Sequence, residues 1–145
     1  MIEIVPYKEE HLALLEFPIE EQKIKDTAFS LLRVNAKRGP AYTGFKNGKV
    51  LGIAGVIILW KGVGEAWTII SPEAKKYKIS LHKVIKTNLD RIIKEHNLHR
   101  VQTYVKIDWH SSQKWMEMLG FECEAILEIF GPNKEDYYLF ARLNL

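Results

Sequence analysis

Hydrophobic and polar residues alternate along this chain with two periods, and each change of period predicts the end of an element. Met1–Tyr7 reads as a short strand and Glu9–Leu15 as a short helix, stopped by Pro18 because proline cannot continue the helical ladder. Glu20–Arg38 predicts a second helix. Its apolar positions Ile24, Ala28, Leu31 and Leu32 fall on one face at three- and four-residue spacing, and Gly39-Pro40 ends it. Ala41–Phe45, Asn47-Gly48 and Val50–Trp60 together predict a hairpin, since Asn-Gly supplies the positive-φ residues of a type I′ turn. Lys61–Gly64 is a second turn and Glu65–Ser71 a third antiparallel strand.

In the second half, Ser80–His96 is an amphipathic helix with Ser80 as its N-cap. Leu81, Val84, Ile85, Leu89, Ile92 and Ile93 form the inward stripe, while Lys83, Lys86, Asp90 and Lys94 face away. Arg100–Ile107 alternates Val101, Thr103, Val105 and Ile107 on one side. A strand that follows a helix in this way is a candidate for a parallel crossover. Ser111–Leu119 is a short helix closed by Gly120 in the C′ position. Phe121–Phe130, the turn Gly131-Pro132-Asn133-Lys134 and Asp136–Leu143 make a last hairpin, whose outer strand offers a sheet edge to a homodimer. The order β-α-α-β-β-β-α-β-α-β-β predicts an α+β protein, a mixed central sheet flanked by helices, in a single domain over residues 1–145.

Composition narrows this picture only a little. With 47% hydrophobic and 27% charged residues the chain has enough apolar material for its own core, which excludes disorder. The longest apolar run, Val50–Trp60, falls short of the roughly 18 residues of a membrane span. Met1–Val5 has no basic stretch before an apolar one, so no secretory leader and a cytoplasmic location are expected. Cys123 is the only cysteine, and His11, His82, His96 and His99 lack ligand spacing on a helix face, so no metal site is expected. The net charge of +3 does not mark a nucleic-acid binder by itself. Basic residues do cluster from Lys75 to Lys94, but without the aromatic interleaving that single strands need.

The element order, together with Trp115-Met116-Glu117-Met118-Leu119-Gly120-Phe121 joining the last helix to a strand, resembles the GNAT N-acetyltransferase superfamily, whose members close with a helix, Leu-Gly-Phe and a hairpin. The Trp-containing helix and the turn Phe130-Gly131-Pro132-Asn133 are similar to those of small GNAT-like proteins of tailed bacteriophages and prophages. The first resemblance implies a GNAT-like (acyl-CoA N-acyltransferase) fold and acetyl-CoA-dependent acetyl transfer to an amine. The second implies, as an alternative, a catalytically inactive phage protein serving as a binding or virion-associated module, in the host cytoplasm or the virion.

Catalysts of that superfamily hold the CoA pyrophosphate on the amides of a glycine-rich loop at a helix N-terminus. The matching stretch here, Ser71 to Ser80, has no glycine. Lys75, Lys76, Tyr77, Lys78, Ile79 and Ser80, with Ile69 and Ile70 of the preceding strand, are the residues the resemblance assigns to the cofactor. Lysines ahead of a helix N-terminus oppose its dipole unless an anion binds there, and the alternative reading is a solvated basic loop. The family's tyrosine acid falls near Met116, which cannot donate a proton, leaving Tyr77, Tyr104, Tyr137 and Tyr138 as candidates. Glu65 and His110, at strand ends that open on the cleft, are candidates for the catalytic base. Glu65 also reads as a turn residue after Gly64, and His110 as a structural histidine. Trp67 and Trp109 are candidates for lining an acceptor pocket, and Trp115 reads as core.

Overall fold

The computed structural model describes residues 1–16 and 22–144. Strands β1 (Glu3–Pro6), β2 (Ala41–Lys46), β3 (Lys49–Trp60), β4 (Val63–Ile70), β5 (Arg100–Lys106), β6 (Glu122–Leu127) and β7 (Tyr137–Leu143) form one sheet in the order β1-β2-β3-β4-β5-β7-β6. All pairings are antiparallel except β4 with β5, which the long helix α2 (Lys78–Glu95) connects as a crossover. Helix α1 (Gln22–Asn35) precedes β2, and α3 (His110–Met118) lies between β5 and β6. Among the described residues there are also two 3-10 helices, Glu9–Leu14 and Pro72–Tyr77. Pro18 and Glu20, expected at the boundary between the first two helices, lie outside the described residues, as do the side chains of Ile24 and Ala28.

Strand periodicity divides the core between the two faces. On one face Leu12, Leu15, Phe29 and Leu32 pack against Val50 and Ile53 of β3, with Trp67 and Ile69 of β4 at the border. On the other, Leu89, Ile92 and Ile93 of α2 and Leu119 after α3 cover Val56, Val101, Val105 and Phe140. Leu31, expected inside, is 60% exposed. Leu32, also expected inside, is buried, and Phe29, which was not expected there, is buried with it.

Turn chemistry follows the sequence closely. Asn47 and Gly48, at φ 52° and 75°, form the β2–β3 turn, and Gly120, at φ 94°, closes α3. The last hairpin turns with Ile129 and Lys134 at positive φ, near 51° and 64°, while β6 ends at Leu127 and forms a sheet edge.

Candidate active site

Strands β4 and β5 pair only through Val63↔Arg100, Gly64↔Val101 and Glu65↔Gln102. Beyond that point each keeps its outer partner: β4 follows β3 as far as Gly52↔Ile70, and β5 follows β7 as far as Lys106↔Tyr137. The parallel ladder therefore opens into a wedge. Its first position is closed by a side chain, Thr103 Oγ1 donating to the Ala66 carbonyl at 3.0 Å.

The antiparallel register fixes which β4 groups face this gap. Ser71 N–H donates to the Leu51 carbonyl at 2.8 Å, so the odd-numbered residues of β4 turn their backbone groups to β3 and the even-numbered ones turn theirs to β5. Ala66, Thr68 and Ile70 face the wedge, and Thr68 is exposed there. Ile69, assigned to the cofactor from the sequence, turns its amide to β3. Of the expected pair only Ile70 presents an N–H to the gap, and Thr68 joins it.

At the apex, on the α1 side of the sheet, Tyr104 donates its hydroxyl to Glu65 Oε1 at 2.6 Å. Gln102 Nε2 donates to the Tyr104 oxygen at 3.2 Å, and Arg100 Nε donates to Gln102 Oε1 at 3.0 Å. Arg100 also forks onto both carboxylate oxygens of Glu124, at 2.8 and 2.7 Å. Arg100, Gln102 and Tyr104 stand at alternate positions on β5 and so share the face opposite Val101, Thr103 and Val105. Phe130 stacks at a tilt on Tyr104, with centroids 5.0 Å apart, and meets Tyr137 edge-on at 5.4 Å. A carboxylate thus lies at the open end of a strand pair beside an aromatic wall.

Burial raises the Tyr104 pKa above the usual tyrosine value, and the hydrogen bond to Glu65 pushes it the same way, partly offset by Gln102. The phenol is therefore protonated across the neutral range. A raised value means that the stability Tyr104 contributes is fully present below pH about 10 and is lost as pH rises through the raised value. Alkaline titration followed by phenolate absorbance is expected to show two late-titrating tyrosines, Tyr104 and Tyr7, whose pKa burial also raises, and Tyr104→Phe removes one of them. Titration of every tyrosine near its ordinary value would contradict the Glu65–Tyr104 pairing. The bond to Arg100 lowers the pKa of Glu124, an exposed residue.

At the far end of β4 the expected loop is not a loop. Ser71 leads into the 3-10 helix Pro72–Tyr77, which continues directly into α2 at Lys78. Pro72 presets the φ of the first turn, and with no glycine to interrupt it the helical path begins early. Ser80 is consequently not an N-cap but the third residue of α2, and neither Ser71 nor Tyr77 makes a side-chain capping bond. Lys75, Lys76 and Lys78 are exposed, and among the described residues no carboxylate pairs with them; Glu73 is 3.5 Å from Lys49 instead. Ile79 is 75% exposed, while Tyr77 is half-buried with the Lys46 ammonium 4.9 Å from its ring centroid.

The other sequence candidates are dispersed. His110 is the first residue of α3, exposed, and forms no hydrogen bond to Glu65 or Tyr104. Trp109 is 55% exposed beyond the end of β5, beneath the Lys106 ammonium, whereas Trp67 lies on the α1 side of β4. The two indoles do not form a common wall. Trp67 lies so close to Gly55 that a Cβ there would stand 2.8 Å from its Cζ2, and its buried Nε1 has no partner among the described residues. Trp115 packs on the core and donates Nε1 to His82 Nδ1 at 3.1 Å, joining α3 to α2. The sequence named Tyr104 only as one of four candidate donors and did not name Gln102. The available signal was the polar set at alternate positions of β5, opposite its apolar face.

No protein-family model matches the chain, and no curated protein sequence matches it. Solved structures do. A chimera of the spermidine N-acetyltransferase SpeG from Vibrio cholerae and hSSAT superposes with TM-score 0.75 at 19% identity, covering 98% of this chain and 95% of that one. The acetyltransferase of GNAT family from Streptococcus pneumoniae gives TM-score 0.74 at 15% identity, over 99% and 100% of the two chains. The ribosomal-protein-S5-alanine acetyltransferase from Vibrio fischeri gives 0.72 at 17% identity, over 99% and 93%. The chain therefore has the GNAT acyl-CoA N-acyltransferase fold, a mixed seven-stranded sheet flanked by helices. Among the described residues no helix is long and apolar enough to cross a membrane.

Proposed function

We propose that this protein is an N-acyltransferase that moves an acyl group from coenzyme A to an amine. The observation that carries the reading is the wedge between β4 and β5, with the main-chain groups of Thr68 and Ile70 facing it and Glu65 at its apex. An amide pointing into this gap is suited to polarise a thioester carbonyl and to hold the oxyanion that forms when an amine attacks it. In that reaction the amine nitrogen forms a bond to the carbonyl carbon, the carbon–sulfur bond breaks, and the nitrogen loses a proton while the thiolate gains one. Glu65 is the carboxylate placed to accept the amine proton. Tyr104, protonated and already bonded to Glu65, is the donor suited to the thiolate.

Lys75, Lys76 and Lys78 fit the diphosphate of coenzyme A. They are exposed, free of carboxylate partners among the described residues, and set where the positive end of α2 favours an anion. Side-chain charge here replaces much of what a glycine loop does with backbone amides. Isothermal calorimetry with acetyl-CoA is expected to show binding that weakens with salt, and about tenfold weaker binding for the Lys75→Ala, Lys76→Ala, Lys78→Ala triple variant. Absence of heat with the wild-type protein overturns the reading.

The 3-10 helix at Pro72–Tyr77 favours a second reading, a GNAT-fold module that has lost catalysis, as the resemblance to phage proteins also implies. Amine-dependent release of free thiol from acetyl-CoA would remove it. The phage relationship, a cytoplasmic or virion location and self-association through the β6 edge belong to the same proposal. A mass measurement in solution and a search for the protein in purified virions test them.

A further inference from the structure

We infer that the acyl group this protein accommodates is longer than acetyl and that its chain lies in an apolar cavity beneath α2. This rests on the acyl-CoA reading above and adds the class of acyl donor. The cavity, about 130 Å³, is continuous with the wedge: Thr68 and Thr103 line both. Its floor is made of small residues at the centre of the sheet, Gly52 and Ala54 on β3 and Ala66 on β4, and its roof of Leu81, Ile85 and Leu89 on α2.

Three features point to an apolar occupant. Strand centres favour large branched side chains, and glycine or alanine there commonly marks the close approach of another group. Gly52 is required by the backbone, since a Cβ there would stand 2.9 Å from the Ile69 carbonyl oxygen, so this feature rests on Ala54 and Ala66. Second, protein interiors are close-packed, so an apolar recess of this size, open beside a candidate thioester site, is not ordinary packing slack; apolar space on this scale takes molecules of about six carbons. Third, several of the polar side chains that line it are already bonded within the protein. Asn88 donates to the Val84 carbonyl at 2.8 Å, Thr103 to that of Ala66, and Trp115 to His82, closing the α3 end. What remains to an occupant is mostly contact with hydrocarbon.

The experiment compares coenzyme A, acetyl-CoA and hexanoyl-CoA by calorimetry on the full chain, with two cavity-filling variants, Ala54→Leu from the floor and Ile85→Phe from the roof, each checked for folding by circular dichroism. Hexanoyl-CoA is expected to bind about tenfold more tightly than acetyl-CoA, because several more methylenes leave water. The preference should shrink to within about twofold in whichever variants fold. Equal affinity for the three compounds, or a hexanoyl preference that survives a folded filling variant, overturns the acyl-chain inference while leaving CoA binding intact. If none of the three binds, the acyl-CoA reading itself fails, and this inference with it.

Discussion

Replacing Glu65 by Gln is expected to lower the kcat of acyl transfer by about a hundred- to ten-thousand-fold, the usual contribution of a positioned acid or base, while acyl-CoA still binds. The glutamine keeps the shape and still accepts a hydrogen bond from Tyr104, so the β4–β5 junction should survive. What is lost is the ability to take the amine proton. A Glu65→Gln enzyme turning over within a few-fold of wild type would move the base elsewhere. His110→Ala, by contrast, should change turnover little, because His110 stands exposed on α3 and away from the Glu65–Tyr104 pair.

The largest expected effect on stability is at Phe140. Only 2% exposed, it sits on β7 in the cluster that joins β5, α2 and α3, with its ring edge-on to Tyr138 at 6.3 Å. Truncation to alanine removes its dispersion contacts and leaves a cavity that rigid strand neighbours cannot close. The expected cost is about 3–5 kcal/mol. For a domain of this size the melting temperature should fall on the order of 10 °C, measurable by calorimetry or urea denaturation. A loss below about 1 kcal/mol would mean that this cluster is not the main core.

Much of the fold was legible because its signals are local. Asn47-Gly48 set a hairpin through positive φ, Gly120 stopped α3, and the stripe from Leu81 to Ile93 announced α2. Where local signals competed, the sequence was ambiguous. Leu31 and Leu32 both fit an apolar spacing, and which faces the sheet depends on the rotation of α1, set by the packing of Phe29. Ser80 resembles an N-cap, but Pro72 starts the helical path eight residues earlier, and no N-terminus remains at Ser80 to be capped.

The site was less legible because it depends on register. Four tyrosines were equivalent as donors in the sequence. Only the parallel pairing Glu65↔Gln102 brings Tyr104, two residues further along β5, onto the Glu65 carboxylate. Strand phase likewise decides that Thr68 and Ile70, and not Ile69, face the gap. Trp67 and Trp109 looked alike as candidates for an acceptor pocket, yet one faces α1 and the other lies outside the sheet.

The wedge itself is tested most directly by following backbone amide resonances while acetyl-CoA is added. The expected result is that Thr68 and Ile70 shift strongly and saturably, together with residues of the Lys75–Lys78 segment, while Ile69 moves less. Shifts confined to other surfaces, or none at concentrations that saturate calorimetric binding, would contradict a thioester held between β4 and β5.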